Sequence, residues 1–96
     1  MKGCGIAMND AEFAKACRAF GDDNRLKIIK LLAHDEKCGS DLLAQLSITQ
    51  PTLSHHMKIL TESNLVNSTR SGKWFKYKLN SDKLAEFKWY VARIER

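Results

Sequence analysis

At Asn64 the apolar residues of this chain stop recurring every three or four positions and begin to alternate. Leu65-Val66-Asn67-Ser68-Thr69-Arg70, then Ser71-Gly72, then Lys73-Trp74-Phe75-Lys76-Tyr77-Lys78-Leu79 reads as two strands about a reversal. Phe75, Tyr77 and Leu79 fall on one face, and Trp74, Lys76 and Lys78 on the other. Helical spacing precedes this segment and returns after it, so the chain is predicted to be mainly α with one small β-hairpin whose outer face is basic. With 96 residues, no repeat and no low-complexity tract, residues 1–96 are expected to form a single domain, with residues 1–8 as a flexible arm.

Five helices are predicted around the hairpin. The first runs from Asn9 to Phe20 with Phe13, Cys17 and Phe20 on its apolar side, and Gly21 is expected to end it in the left-handed conformation. Asp22 or Asp23 caps a second through Ala33, whose stripe Leu26, Ile29, Leu32 and Ala33 is assigned to the core. Ser40 or Asp41 opens a brief third helix carrying Leu42, Leu43 and Leu46, and Ser47-Ile48-Thr49 leads into a fourth. With Thr49 as N-cap, Pro51 lies in the first turn, where its missing N–H has no intrahelical partner to lose. Ser81 is expected to cap the last helix, in which Leu84, Phe87, Val91 and Ile94 form a seam with little to pack on inside so small a monomer. That seam points to a partner helix.

Two short helices across a tight turn make a helix-turn-helix pattern. In the helix after Thr49, Leu53, Met57 and Leu60 share a face and leave Gln50, Thr52, Ser54, His55, Lys58 and Thr61 outward. Amides, hydroxyls and an imidazole with almost no formal charge suit the donor and acceptor pattern of base edges, although an ordinary solvated face has the same composition. The hairpin tip, Arg70-Ser71-Gly72-Lys73, favours the nucleic-acid reading because it sets cations beside that helix. Charge placement agrees: residues 1–48 balance at seven basic and seven acidic, whereas residues 49–80 hold five basic side chains against Glu62 alone. An enzyme would have to use His55 and His56, but neighbours on a helix point about 100° apart and no cysteine nucleophile shares the segment. His56 lies nearer the apolar side and is expected to pack.

Residues 13–79 also resemble the ArsR/SmtB family of dimeric bacterial winged-helix repressors. The resemblance lies in Ala19-Phe20-Gly21-Asp22 with Arg25-Leu26, in Ser40-Asp41-Leu42, in Gln50-Pro51-Thr52-Leu53-Ser54-His55-His56-Met57-Lys58-Ile59-Leu60, and in Gly72-Lys73-Trp74-Phe75-Lys76-Tyr77. The family's usual proline after Gly-Asp is Asp23 here. The resemblance implies a winged helix-turn-helix in which Gln50, Thr52, Ser54, His55 and Lys58 face DNA and Arg70 and Lys73 form the wing tip. It further implies a homodimer through the first and last helices, with Phe13, Leu84, Phe87, Val91 and Ile94 at the interface. Two recognition helices about 34 Å apart would then meet an operator of inverted symmetry. The implied function is repression relieved by an inducer.

Many members sense thiophilic metals or metalloids through Cys-Val-Cys-Asp-Leu at the start of the third helix. The segment here is Cys38-Gly39-Ser40-Asp41-Leu42, and a serine hydroxyl is a poor substitute for a soft thiolate. Cys38 is therefore the first expected ligand for As(III) or another thiophilic metal, with Cys4 of the N-terminal arm completing the site. Cys17, between Phe13 and Phe20, is expected to be a core thiol. Three scattered cysteines do not make a disulfide framework. The last helix carries no histidine, which removes the Zn(II) or Ni(II) site that other relatives build there. A thiol-redox or ligandless regulator stays open as an alternative, and so does an adaptor that docks through its last helix. No apolar run approaches a membrane span and the N-terminus lacks a signal-peptide core, so a cytoplasmic location is expected.

Overall fold

Residues 8–95 are described by a computed structural model. Asn9 starts α1 (Asp10–Phe20) by a reciprocal cap: its side chain accepts from the Glu12 N–H at 2.8 Å, and its own N–H donates to the Glu12 carboxylate at 2.9 Å. Gly21 follows with φ −83° and ψ 29°, so the expected left-handed stop is not made. The helix ends instead because Asp22 is extended and turns its carboxylate to the N–H groups of Asn24 and Arg25, at 2.9 and 3.2 Å, opening α2 (Asp23–Leu32).

The buried faces of these two helices are rotated from those expected. Ala16 and Ala19 are the fully buried residues of α1, and Cys17 is exposed rather than a core thiol, because the core face of α1 is centred on these alanines and not on the stripe through Cys17. Phe13 and Phe20 are half-buried against α5 (Ser81–Ile94): the ring of Phe87 lies 5.0 Å from that of Phe13 and 4.9 Å from that of Phe20, and Tyr90 stacks on Phe13 at 4.0 Å. In α2 the core residues are Ile28, Ile29 and Leu32, while Leu26 is 41% exposed and Ala33 is an exposed C-cap. The chain thus uses Ile28 where the expected stripe used Leu26.

Lys37–Cys38 forms a short strand, β1, and Cys38 then occupies the N-cap position of α3 (Gly39–Gln45), ahead of the expected Ser40 or Asp41. The Asp41 carboxylate reaches back to accept from the Cys38 N–H at 3.3 Å. Leu42 is completely buried, and Leu46 closes α3 as its buried C-cap. Thr49 caps α4 (Gln50–Glu62), accepting from the Thr52 N–H at 3.4 Å, with Pro51 in the first turn as expected. Leu53, His56, Met57 and Leu60 anchor α4 in the core. Its exit is set by Asn64, whose φ of 67° is the left-handed conformation that asparagine tolerates better than most residues.

The hairpin consists of β2 (Val66–Ser71) and β3 (Trp74–Leu79), antiparallel with Ser71 opposite Trp74. Its turn is therefore Gly72-Lys73, one residue later than expected. Gly72 has φ 64° and Lys73 is not among the positive-φ residues, the pattern of a type II′ turn with glycine in its first central position. β1 pairs with β3 to give a three-stranded sheet of order β1-β3-β2, a strand too short to announce itself by alternation. Asn80, not Ser81, caps α5, accepting from the Lys83 N–H at 3.1 Å. No residue of α5 is fully buried in the monomer.

Candidate nucleic-acid interface

The buried face of α4 determines what its other side presents. With Leu53, Met57 and Leu60 inward, Gln50, Thr52, Ser54, His55 and Lys58 are all exposed. The helix also has no acidic residue in its first turn, so the positive end of its dipole is uncompensated toward an approaching phosphate. Thr49 donates its hydroxyl to Thr52 Oγ1 at 3.0 Å, which leaves the Thr52 proton free to donate outward.

Beside this face stands the wing. Lys73 lies in the turn and Arg70 near the end of β2, and Arg70 Nε donates to the Gly72 carbonyl at 3.1 Å while its guanidinium lies 5.5 Å from the centre of the Phe75 ring. Between wing and helix runs a groove of ≈ 570 Å³ that brings together Gln50, Ser54, Lys58 and Lys73. Thr52, His55 and Arg70 are exposed but do not line it. Trp74 and Phe75 do line it, and they are 56% and 44% exposed. Phe75 shares its face with Tyr77, their rings 6.3 Å apart, but near the turn it remains exposed where Tyr77 is half-buried. Sequence reasoning missed both aromatics as groove residues; two adjacent large aromatics beside a turn were the available signal.

The two histidines separate as their spacing required. His55 is exposed, whereas His56 is 7% exposed, with Arg25 Nη1 3.1 Å from Nδ1 and Asp22 Oδ2 3.7 Å from Nε2. Burial holds the His56 imidazole below the usual histidine range, with Arg25 and His55 adding to the effect and Asp22 opposing it. The Asp22 carboxyl is held below the usual carboxylate range, chiefly by the Arg25 N–H it accepts.

Cys38 is half-buried, its Sγ 3.0 Å from Ser40 Oγ and donating to Asp41 Oδ2 at 3.2 Å. That thiol contact is the main reason the Asp41 carboxyl lies below its ordinary range. Cys4 lies outside the described residues. Among the described residues, no three His, Cys, Asp or Glu side chains gather to hold a metal ion. Of the residues expected at a dimer interface, Phe13, Leu84 and Phe87 are half-buried, Phe87 packing against the core and stacking on Phe13, and Val91 and Ile94 are 45% and 68% exposed. No helix among the described residues is long and apolar enough to cross a membrane.

A helix-turn-helix whose second helix shows a polar face, flanked by a hairpin with a cationic tip, defines a winged helix-turn-helix regulator. Residues 22–68 match the model described as "Bacterial regulatory protein, arsR family". The chain is 39% identical over 75 residues to an arsenical resistance operon repressor of Staphylococcus xylosus, covering 78% of this chain and 72% of that protein. It is 30% identical over 80 residues to the transcriptional repressor SdpR of Bacillus subtilis, covering 82% and 89%. A crystal structure of an ArsR family transcriptional regulator superposes with a TM-score of 0.84 over 94% of this chain and 93% of the other; at 14% identity this bears on the fold. The protein belongs to the ArsR family, a family of DNA-binding regulators and not of enzymes.

Proposed function

We propose that this protein is a homodimeric transcriptional repressor that reads operator DNA of inverted symmetry with α4, holds it with the wing, and is released by a thiophilic inducer. The observation that carries the DNA reading is the shared groove, in which the polar face of α4 and Lys73 of the wing look onto the same space. Gln50, Thr52, Ser54 and His55 supply donors and acceptors to base edges, where a good bidentate contact discriminates by about 1–3 kcal/mol. Lys58, Arg70 and Lys73 neutralise phosphates and supply affinity without sequence information. The dimer is supported by α5, which exposes Val91 and Ile94 while burying nothing completely.

The inducer reading is supported by the arsenical resistance repressors among the relatives and by the position of Cys38. Cys38 caps α3 and pairs with Lys76 of β3, and the next two residues, Gly39 and Ser40, line the groove. A soft ligand such as As(III), taken up by Cys38 with Cys4, would draw the thiol from Asp41 and disturb the first helix of the DNA-binding pair. A ligand releases DNA only by its preference for the non-binding state, so this displacement is where the preference would arise. Anisotropy with fluorescent promoter DNA tests both parts. Lys58→Ala and Arg70→Ala should each weaken binding, and unchanged affinity in both would remove the surface assignment. Cys38→Ser and Cys4→Ser should blunt release by As(III), and undiminished release in both would remove the thiol site.

A further inference from the structure

His56 is the buried histidine of the described residues, and contact with DNA makes no use of it. Its ring lies behind α4 in a chain of polar contacts that crosses three helices. Arg25 Nη1 meets Nδ1 at 3.1 Å, while the same guanidinium donates Nε to the Ala19 carbonyl at 3.0 Å and Nη2 to the Arg18 carbonyl at 3.1 Å, in the last turn of α1. These carbonyls lie in the last turn, where the i+4 partners run out, although that of Arg18 also accepts from the Gly21 N–H at 3.1 Å, and a cation there complements the dipole. A guanidinium only donates, so Nδ1 must offer its lone pair. The single proton of the neutral ring then lies on Nε2, on the side of Asp22 Oδ2 at 3.7 Å. A second proton on Nδ1 would set one N–H against another and place a positive ring against Arg25.

We infer that His56 is a positioning residue: through Arg25 it holds α4 at its reading angle against α1, and it does so only as the neutral imidazole, so that DNA affinity falls when the ring is protonated. The inference rests on the proposed reading of DNA by α4. Because α1 is also part of the proposed dimer contact, the same link ties the angle of each reading helix to its partner's. The groups around the ring set the response. Asp22, the N-cap of α2, favours the proton; Arg25 of α2 and His55 of α4, whose ring centre is 5.9 Å away, oppose it; α1 presents the carbonyls of Arg18 and Ala19 to Arg25. Burial adds to the opposition and decides the balance, holding the ring below the ordinary histidine range.

Linkage gives the test. If DNA selects the neutral ring, bound DNA must lower the proton affinity of His56 in turn, against the general tendency of phosphates to raise it. Imidazole resonances of the 96-residue chain, followed by NMR with and without a duplex from its own promoter, should show the His56 midpoint falling on binding. In parallel, the wild-type Kd should rise as pH falls through the His56 midpoint, which lies below the ordinary histidine value, and should approach about tenfold per ring for one unit of linked shift once the pH is below both midpoints. His56→Asn, whose amide oxygen can accept from Arg25 but does not titrate, should flatten this dependence, and His34→Gln, at an exposed histidine outside the DNA-reading surface, should retain it. A His56 midpoint that DNA leaves unmoved or raises overturns the inference, and this reading needs no variant to fold. An undiminished pH dependence in a folded His56→Asn protein overturns it as well. Absence of binding at every pH would overturn the DNA reading itself, and the inference with it.

Discussion

Arg70 and Phe75 are opposite one another across the hairpin, and the guanidinium of the first lies 5.5 Å from the ring centre of the second. The Gly72 carbonyl, 3.1 Å from Nε, fixes the remaining freedom of the arginine. A cation this constrained loses less rotamer entropy on meeting a phosphate than a free one. Phe75→Leu should therefore weaken DNA binding about twofold to fivefold, in keeping with about 0.5–1 kcal/mol for an exposed cation–π contact. It should leave the salt dependence as it was, because no charge is lost. Arg70→Ala should weaken binding further and reduce the slope of log affinity against log salt by about 0.9 per protomer, about 1.8 for a dimer on its operator. Salt titrations of the two variants separate positioning from charge.

Asn64 sets the angle at which the chain leaves α4 for the wing, with φ at 67°. Asn64→Gly should preserve or slightly raise thermal stability, since glycine adopts this conformation without steric penalty. Asn64→Val should lower stability by about 1–2 kcal/mol, the cost of placing an ordinary side chain in left-handed backbone. Chemical denaturation of the three proteins measures both signs.

On the proposed dimer face, Val91→Glu places a charge on a residue that is 45% exposed in the monomer. If that surface is buried against a second copy, an unpaired carboxylate there is costly, and sedimentation should show dissociation at concentrations where the wild type is dimeric. Lys88→Glu, on an exposed residue of the same helix outside the apolar seam, should leave the dimer in place.

Asp22 gives folding a defined dependence on acid. Its folded-state affinity for protons lies below the ordinary value, mainly through the N–H of Arg25, so below that ordinary value the unfolded chain binds more protons than the native one. The stabilisation is present above the unfolded value of 3.8 and is lost as pH falls through the lower folded value. Asp22→Asn keeps a capping oxygen but cannot titrate there, so its stability should fall less steeply over that acid range. Urea midpoints measured against pH in both proteins check the difference in slope.

Much of this was legible because the informative residues are local ones. Thr49 with Pro51 marks the start of α4, the change of period at Asn64 marks the wing, and Leu53, Met57 and Leu60 determine which side of α4 faces out. What escaped depended on neighbours distant in sequence. Whether Leu26 or Ile28 enters the core, and whether Cys17 does, is decided by how α1 and α2 roll against the rest of the core, one residue of roll separating Ala16 from Cys17 and two separating Leu26 from Ile28. β1 exists only because β3 offers it an edge. The aromatic lining of the groove depends on where the hairpin lies against α4, and the Arg25–His56 contact joins residues 31 apart that no local pattern links.

The central claim is that sequence is read by the uncharged groups of α4 while the cations only hold the backbone. Competition binding tests it: affinity for the protein's own promoter duplex is measured against a scrambled duplex of equal length at one salt concentration, for wild type and for the Gln50→Ala, Ser54→Ala double variant. Wild type should prefer the promoter. The double variant should lose that preference by about tenfold or more, as expected when contacts of about 1–3 kcal/mol each are removed, and should keep its affinity for the scrambled duplex. A double variant that still discriminates as the wild type does would contradict the account.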